Sequence, residues 1–282
     1  MTLQPLPDVM LEPFVRMALL EDLGRAGDIT TTSIIPATKK GEAIFVARKK
    51  GVIAGLDLVR LAFHAVDPAV KVTCCVEDGH AVKAGDVLAI VKGSMRSILM
   101  AERVALNYLS RLSGVATATH ALVQAARPHK ARICSTRKTT PGLRTLEKYA
   151  VRAGGGSNHR LGLDDAVLIK DNHIAVAGGV RPAILAAREV IGHMTKLEVE
   201  VDTLDQLQEI LDLPVDAVLL DNMKPAQLTK AVKMVAGHFV TEASGNVTID
   251  TVKAIAATGV DFISSGWITH SAPILDVGLD IA

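Results

Sequence analysis

The chain has 282 residues, 49% hydrophobic and 22% charged, which excludes a disordered protein and leaves room for a sizeable core in one large domain or two modest ones. Its 31 basic and 30 acidic residues leave a net charge of +1, and aromatics make up only 3%. Neither the basic stripe nor the stacking aromatics of a non-specific nucleic-acid binder is evident, and Lys39–Lys40 and Lys49–Lys50 read as solvated faces.

The opening "MTLQPLPDVMLEPFVRMALLEDLG" carries acidic residues and no positive block ahead of an apolar one, unlike a secretory signal or an Arg-rich transit peptide. Its spacing predicts a helix over about 8–22. Residues 42–54 and 70–92 alternate as strands do, and "EDGHAVKAGD", with two Gly-containing turns, predicts a tight β-meander. "SILMAERVALNYLSRL" (97–112) is helical: Ser97 is placed to cap it, Ala101, Ala105, Tyr108 and Leu112 share an apolar stripe, and Arg103 and Asn107 share another face. Gly114 is expected to interrupt before a second helix, "VATATHALVQAA". Cys74, Cys75 and Cys134 form no C-x-x-C and are odd in number, which points to a reducing compartment, the cytoplasm by default. No run of 18 apolar residues exists, so no membrane partner is expected.

From residue 131 the rhythm becomes strand then helix. "ARICS", "AVLIK", "KLEVEV", "DAVLL", "HFVTEA" and "VDFIS" alternate with helices near 183–191, 204–212, 226–236 and 249–257. Pro182 and Pro225 suit first helical turns, and Thr203 with Gln206 matches a capping box. Repeated βα units favour a parallel sheet covered by helices. Six strands rather than eight predict an incomplete α/β barrel, with a doubly wound sheet as the alternative.

In such folds the site forms where strands end. Those ends read Thr136-Arg137-Lys138, Lys170-Asp171-Asn172-His173, Glu200, Asp221-Asn222, Ser244-Gly245-Asn246 and Ser264-Ser265-Gly266. A charged residue after a strand is usually a solvated turn; a whole series on one rim calls for mutual pairing or a ligand. In "KLEVEV", Leu197, Val199 and Val201 point one way and Glu198 and Glu200 the other, either into a barrel interior or onto the wet face of an edge strand. The Gly-containing turns offer backbone N–H groups to phosphate, and Ser244–Asn246 precedes a helix whose dipole favours anions. "GGGSNHR" (154–160) matches neither a P-loop nor a dinucleotide fingerprint; its glycines release His159 and Arg160. The nine histidines and three cysteines show no zinc spacing, and no G-x-S-x-G elbow occurs. "STRKTTPGLR" (135–144), with four hydroxyls and three cations, remains on these grounds either a solvated turn or the rim of an anion pocket.

"EDLGRAGDITT", "AERVALNYLSRLSGVAT", the block "STRKTTPGLRTLEKYAVRAGGGSNHRLGLDDAVLIKDNHI", "EVEVDTLDQL", "EASGNVT" and "GVDFISSGWITHSAPILDVGLD" resemble, in order and over nearly the whole chain, the quinolinate phosphoribosyltransferase family. The resemblance implies an N-terminal α/β sandwich domain (1–113, joined by 271–282) and an open, incomplete α/β-barrel domain (114–270). It also implies a homodimer, or a larger assembly of dimers, with shared active sites. The reaction implied joins quinolinate to phosphoribosyl pyrophosphate with Mg²⁺, giving nicotinate mononucleotide, pyrophosphate and carbon dioxide in NAD biosynthesis.

Carried onto this sequence, the family's motifs place Arg137, His159 and Arg160 around the quinolinate carboxylates, and Lys138 and Lys170, with Thr136, on the anionic substrates. They place Arg103 in the neighbouring subunit's site, and Glu200 and Asp221 by the ribose and the Mg²⁺-associated pyrophosphate. Lys138, Lys170, Glu200 and Asp221 are thereby implied as catalytic. The turns Ser244-Gly245-Asn246 and Ser265-Gly266-Trp267 would hold the 5′-phosphate; the chain departs from many relatives in having the bulky Trp267.

This inventory suits the chemistry. Two polyanions need concentrated positive charge, Arg for planar carboxylates and Lys for phosphates. Cleaving the ribose–pyrophosphate bond develops oxocarbenium-like charge, which carboxylates stabilise. The pyridine nitrogen has a free lone pair and needs no general base. Three rivals stay open: a transferase acting on nicotinate or another aromatic acid, a Schiff-base lyase using Lys170, and a non-catalytic phosphosugar-binding protein. The charged neighbours of Lys170 suit an ion pair better than a desolvated amine nucleophile.

Overall fold

The computed structural model describes residues 3–282. In chain order the elements are α1 (Asp8–Leu23), α2 (Ile29–Ile34), β1 (Lys40–Ala47), β2 (Gly51–Val52), α3 (Leu56–Val66), β3 (Lys71–Cys74), β4 (Ala81–Val82), β5 (Val87–Ser94) and α4 (Met95–Ala126). There follow β6 (Arg132–Cys134), α5 (Arg144–Ala153), β7 (Val167–Ile169), α6 (Asp171–Ala177), α7 (Val180–Val190), β8 (Leu197–Val201) and α8 (Leu204–Ile210). The last are β9 (Ala217–Asp221), α9 (Pro225–Val235), β10 (Val240–Ser244), α10 (Val252–Ala256), β11 (Phe262–Ser264), α11 (Trp267–His270) and β12 (Val277–Ile281). Among the described residues no helix is long and apolar enough to cross a membrane.

Two compact units result. One runs through Ala118 and takes in Arg152–Gly155 and Ala272–Ala282; the other comprises Thr119–Val151 and Gly156–Ser271. In the first unit an antiparallel sheet runs β12-β1-β5-β3, with α1 packed on α3. Strand periodicity turns Ala43, Phe45 and Ala47 of β1 inward, and Phe45 meets Phe63 of α3 edge-on with ring centroids 6.0 Å apart. The expected meander does not form. β3 pairs directly with β5, while β4 leaves the sheet to pair with β2. The two glycine turns, Gly79 and Gly85 (φ +90° and +91°), redirect the chain rather than link successive neighbours.

The long helix corrects two further expectations. It starts at Met95, where the Ser94 hydroxyl accepts from Ser97 N–H at 3.4 Å; the Ser97 hydroxyl instead donates to Asp67 at 2.9 Å, so Ser97 is not the cap. Nor does Gly114 break the helix, which continues to Ala126. A Cβ at Gly114 would lie 2.2 Å from the Pro273 carbonyl oxygen, so glycine is there for close approach of the C-terminal segment. The stripe Ala101, Ala105, Tyr108 and Leu112 is buried, as its spacing predicts.

In the second unit all six apolar runs form strands of one parallel sheet, ordered β6-β11-β10-β9-β8-β7. Near-continuous apolar runs are what a sheet buried on both faces requires. Helix starts also follow the sequence: Thr203 and Gln206 form the capping box, and Pro225 is the first residue of α9. Side chains following β6 and on β7, the two edge strands, line one and the same cavity. In a flat sheet five interstrand gaps would hold those edges roughly 24 Å apart. The sheet therefore curls, left open between β6 and β7, which is the incomplete barrel and not the doubly wound alternative.

Candidate active site

The cavity, about 390 Å³, opens at the carboxyl ends of the strands. Its wall is Thr136, Arg137, Lys138, His159, Arg160, Leu168, Lys170, Glu200, Leu219, Asp221, Glu242, Ser244 and Ser264. Register explains the selection. Leu219 stands opposite Glu200 on one side and Glu242 on the other, and Asp221 stands opposite Ser244 one level higher. Every second residue thus projects inward, in layers.

The rim cations sit on segments fastened from below by two fully buried charges of α5. Glu147 accepts from the Thr140 N–H at 3.0 Å and the Thr140 hydroxyl at 2.7 Å, fixing the "TRKTTPG" loop. Lys148, 1% exposed, donates to the Ser135 hydroxyl (3.1 Å) and to the carbonyls of His159 and Arg160 (2.8 Å each). Burial pulls its pKa down to about 8. Thr136 accepts from Lys138 N–H at 3.0 Å, Thr269 donates to the Lys138 carbonyl at 2.8 Å, and the Lys138 side chain lies where a Cβ on Gly266 would intrude. "STRKTTPGLR" is therefore a braced wall of the cavity rather than a loose solvated turn. Arg160 Nη1 donates to the Ala166 carbonyl at 2.9 Å, while its buried Nε has no partner among the described residues. Burial and then the charge of Arg137 both lower the Arg160 pKa, so positive charge is crowded here in a way that an incoming anion relieves.

Two carboxylates share the rim. Glu200 is paired with Lys170, whose side chain is 43% exposed. Asp221 accepts from Asn222 Nδ2 at 2.6 Å through one of its two oxygens. The turn after β10 is built against Asn222: Gly245 has φ +90°, and a Cβ there would sit 2.1 Å from Asn222 Oδ1. Only glycine satisfies both demands.

Deeper in the barrel, His159 Nε2 meets Glu198 at 2.6 Å and lies 3.9 Å from Glu242. Nδ1 of the same ring accepts from the Arg160 N–H at 2.8 Å. Burial would lower the His159 pKa, and the Glu198 hydrogen bond with the two carboxylate charges outweighs it and raises it. A second ring proton would nevertheless face the Arg160 N–H, so the geometry assigns the neutral Nε2–H tautomer. Glu242 is 6% exposed, and its Oε1 has no partner among the described residues. Burial, and next the charge of Glu198, push its pKa up to about 7. These three side chains place ligand-type atoms within 4.8 Å of one another, yet both ring nitrogens are already engaged, so the cluster stores a proton better than it binds a cation.

Of the residues singled out in the sequence, Thr136, Arg137, Lys138, His159, Arg160, Lys170, Glu200, Asp221, Ser244 and Ser264 line the cavity. Gly245, Asn246, Ser265 and Gly266 lie in the turns directly after Ser244 and Ser264, and Trp267, 44% exposed, begins α11. Arg103 is not among the lining residues; it is exposed on α4 in the first unit. One electrostatic expectation is overturned. The helix after Asn246 begins only at Val252 and has 5 residues, so its dipole does not reach the Ser244–Asn246 turn. Sequence reasoning overlooked Glu242, Glu147 and Lys148. Glu242 had a signal, an acid inside an apolar strand, the pattern that drew attention to Glu198 and Glu200.

Two family models match the chain: "Quinolinate phosphoribosyl transferase, N-terminal domain" over residues 28–113 and "Quinolinate phosphoribosyl transferase, C-terminal domain" over 115–280. The chain is 44% identical over 295 aligned residues to the chloroplastic nicotinate-nucleotide pyrophosphorylase [carboxylating] of Oryza sativa subsp. japonica, covering 98% of this chain and 78% of that protein. It is 41% identical to the probable nicotinate-nucleotide pyrophosphorylase [carboxylating] of Bacillus subtilis, covering 97% and 94%. Among solved structures, the nicotinate-nucleotide pyrophosphorylase from Francisella tularensis superposes with a TM-score of 0.95 at 38% identity, covering 100% of this chain and 99% of that one.

Proposed function

Because the chain belongs to the quinolinate phosphoribosyltransferase family, it is a pentosyltransferase that makes nicotinate mononucleotide from quinolinate in NAD biosynthesis, and we propose that the six-strand cavity is where it does so. The observation that carries this assignment is convergence. Four strands, β6 to β9 by way of their ends and the segments just after them, together with the loop between α5 and β7, bring Arg137, Lys138, Arg160 and Lys170 together with Glu200 and Asp221 around one space. The cations outnumber the rim carboxylates, as a site for two polyanions requires.

In this reading Arg137 and Arg160 hold the two quinolinate carboxylates through their forked donors, and the unpartnered Arg160 Nε is the most direct candidate. His159, with both nitrogens engaged, shapes the wall and positions Arg160. Lys138 and Lys170 attract the phosphates of phosphoribosyl pyrophosphate. The turns Ser244-Gly245-Asn246 and Ser265-Gly266-Trp267 would hold its 5′-phosphate through backbone N–H groups other than that of Ser265, which is given to the Cys134 carbonyl at 3.0 Å. Glu200 and Asp221 face the anomeric carbon, where their charge stabilises the cation that forms as pyrophosphate leaves. The ion pair with Lys170 holds Glu200 in place until then.

The rim also fits Mg²⁺. Hard carboxylate oxygens are present, and no protein cage is built, because Glu200 already has Lys170 as its partner. Glu200 and Asp221 would be the residues nearest the ion, which when bound would supply charge neutralisation of the pyrophosphate leaving group. We place the enzyme in the cytoplasm, where three free cysteines remain reduced, and we read it as a homodimer with Arg103 serving the partner's cavity.

The test is direct. Purified enzyme with quinolinate, phosphoribosyl pyrophosphate and Mg²⁺ is expected to release carbon dioxide and nicotinate mononucleotide in equal amounts, and Arg137→Ala to raise KM for quinolinate. Turnover of nicotinate in place of quinolinate would overturn the substrate assignment. Mixing inactive Arg103→Ala with inactive Lys138→Ala chains is expected to restore part of the activity; none in demonstrably mixed dimers refutes the shared site.

A further inference from the structure

The product has one carboxylate fewer than quinolinate, so a ring carbon that loses carbon dioxide must gain a proton. We propose that Glu242 is the acid that delivers it, an assignment that rests on the reading of this cavity as the quinolinate site. The step balances. The bond between the ring carbon beside the nitrogen and its carboxylate breaks, and the group leaves as carbon dioxide. The electron pair stays on the carbon, held by the adjacent ribosylated, cationic nitrogen. As the bond breaks, the developing pair takes the Glu242 proton in the same step, a C–H bond forms, and Glu242 is left as a carboxylate. A proton from water restores the acid before the next turnover.

The cavity wall leaves few alternatives. Lys170 is committed to Glu200, and the Lys138 side chain lies against the Gly266 turn. Arginine is too weak an acid. The single N–H of His159 is given to Glu198 at 2.6 Å. Among the described residues, Glu242 is the lining acid with a buried oxygen, Oε1, that has no partner. Its surroundings favour the neutral carboxyl. The groups around it are Glu198 of β8, His159, Lys148 of α5, Ser264 of β11 and, nearby, the buried thiol of Cys134 on β6. Burial and the Glu198 charge favour the protonated form; a charged His159 would oppose it but is held neutral here, and a Ser264 hydrogen bond and the Lys148 charge oppose it and do not prevail. An ionised Glu242 would also place an uncompensated negative charge in the wall of a dianion site. Kept neutral, it leaves the cations free to act on the substrate and retains a proton until the ring carbon needs one.

Single-turnover measurement of pyrophosphate and carbon dioxide separately tests the assignment, because transfer precedes decarboxylation. In Glu242→Gln, pyrophosphate release is expected within about threefold of wild type while carbon dioxide release slows by about tenfold or more, with the phosphoribosylated dicarboxylate accumulating. In wild type, carbon dioxide release is expected to fall as pH rises through about 7, since the acid works protonated, and this limb should vanish in Glu242→Gln. Equal slowing of both products would mark Glu242 as merely structural. An unchanged carbon dioxide rate with an unchanged pH limb would exclude it as the donor. Should the variant not fold, the wild-type profile still decides: a carbon dioxide rate that is flat between about pH 6 and 8.5 overturns the proposal. A wild type silent on quinolinate would instead overturn the underlying site reading, and the proposal with it.

Discussion

Where β9 and β11 begin, two aspartates have their charge fully spoken for; where the same strands finish, the polar side chains face a cavity. Asp216, just before β9, accepts from Leu197 N–H (2.9 Å), Lys196 (2.7 Å) and Arg188 (2.6 Å). Asp261, just before β11, accepts from the Thr241 N–H (3.0 Å) and hydroxyl (2.8 Å) and from Lys130 (3.2 Å). At the other end Arg160 Nε and Glu242 Oε1 lack partners among the described residues. The same βα architecture thus closes one end with satisfied charges and keeps the other end available to ligands. The first end contributes to stability, and the second gives up some stability for binding.

The contrast can be broken or sharpened by substitution. The largest effect is expected from the brace beneath the cavity. Lys148→Met leaves two carbonyls and a hydroxyl without their shared donor, so denaturant unfolding should show a loss of about 3 kcal/mol, with activity falling as the loops loosen. A variant of wild-type stability would show that the brace is not needed. Next come Arg137→Ala and Lys138→Ala at the open end. Losing one charge-assisted contact of about 1.5–3 kcal/mol predicts a roughly ten- to hundred-fold drop in kcat/KM with an unchanged unfolding midpoint. A large stability loss with intact kinetics would invert the comparison.

Asp216→Asn should do the reverse, lowering stability by about 1–2 kcal/mol while leaving kcat/KM unchanged. Its pH signature has a definite sign. Burial would raise the Asp216 pKa, but Lys196, the Leu197 N–H and Arg188 hold it down at about 2, below its ordinary value of 3.8. A carboxylate depressed in the folded state contributes its full stability above pH 3.8 and loses it as pH falls toward 2. Acid unfolding of wild type should therefore steepen in that window, and Asp216→Asn should remove that part of the slope. The smallest effect is expected at the surface pair of Arg181 and Asp212, 3.0 Å apart with both side chains more than half exposed; Asp212→Asn should leave the midpoint and the kinetics alike unmoved.

Legibility in the sequence followed the range of the forces involved. The six apolar runs, the capping box at Thr203 and the helix stripe through Ala101, Ala105, Tyr108 and Leu112 could be read because each depends on neighbours a few residues away. Ten of the lining side chains were legible because strand ends can be counted once strands are recognised, and because family motifs fall on them. Gly114 and Ser97 were misread, since their roles depend on Pro273 and Asp67, which no local pattern brings near. Glu242 did carry a local signal, an acid inside an apolar strand, and only its chemical role depends on distant neighbours. In "HFVTEA" it is one acid in one strand, and it becomes chemically distinct only beside Glu198 and His159.

The sequence by itself determined which segments become strands and helices, which family the chain resembles, and that its charges cluster at strand ends, since all of these are properties of order along the chain. Tertiary structure alone decided that the sheet curls enough for β6 and β7 to face one cavity. It also decided that α5 supports the substrate loops with Glu147 and Lys148, and that Glu198, His159 and Glu242 share one water-poor interior. The physical reason is that burial and through-space Coulomb interaction set how a charge behaves, and neither is a function of separation in sequence.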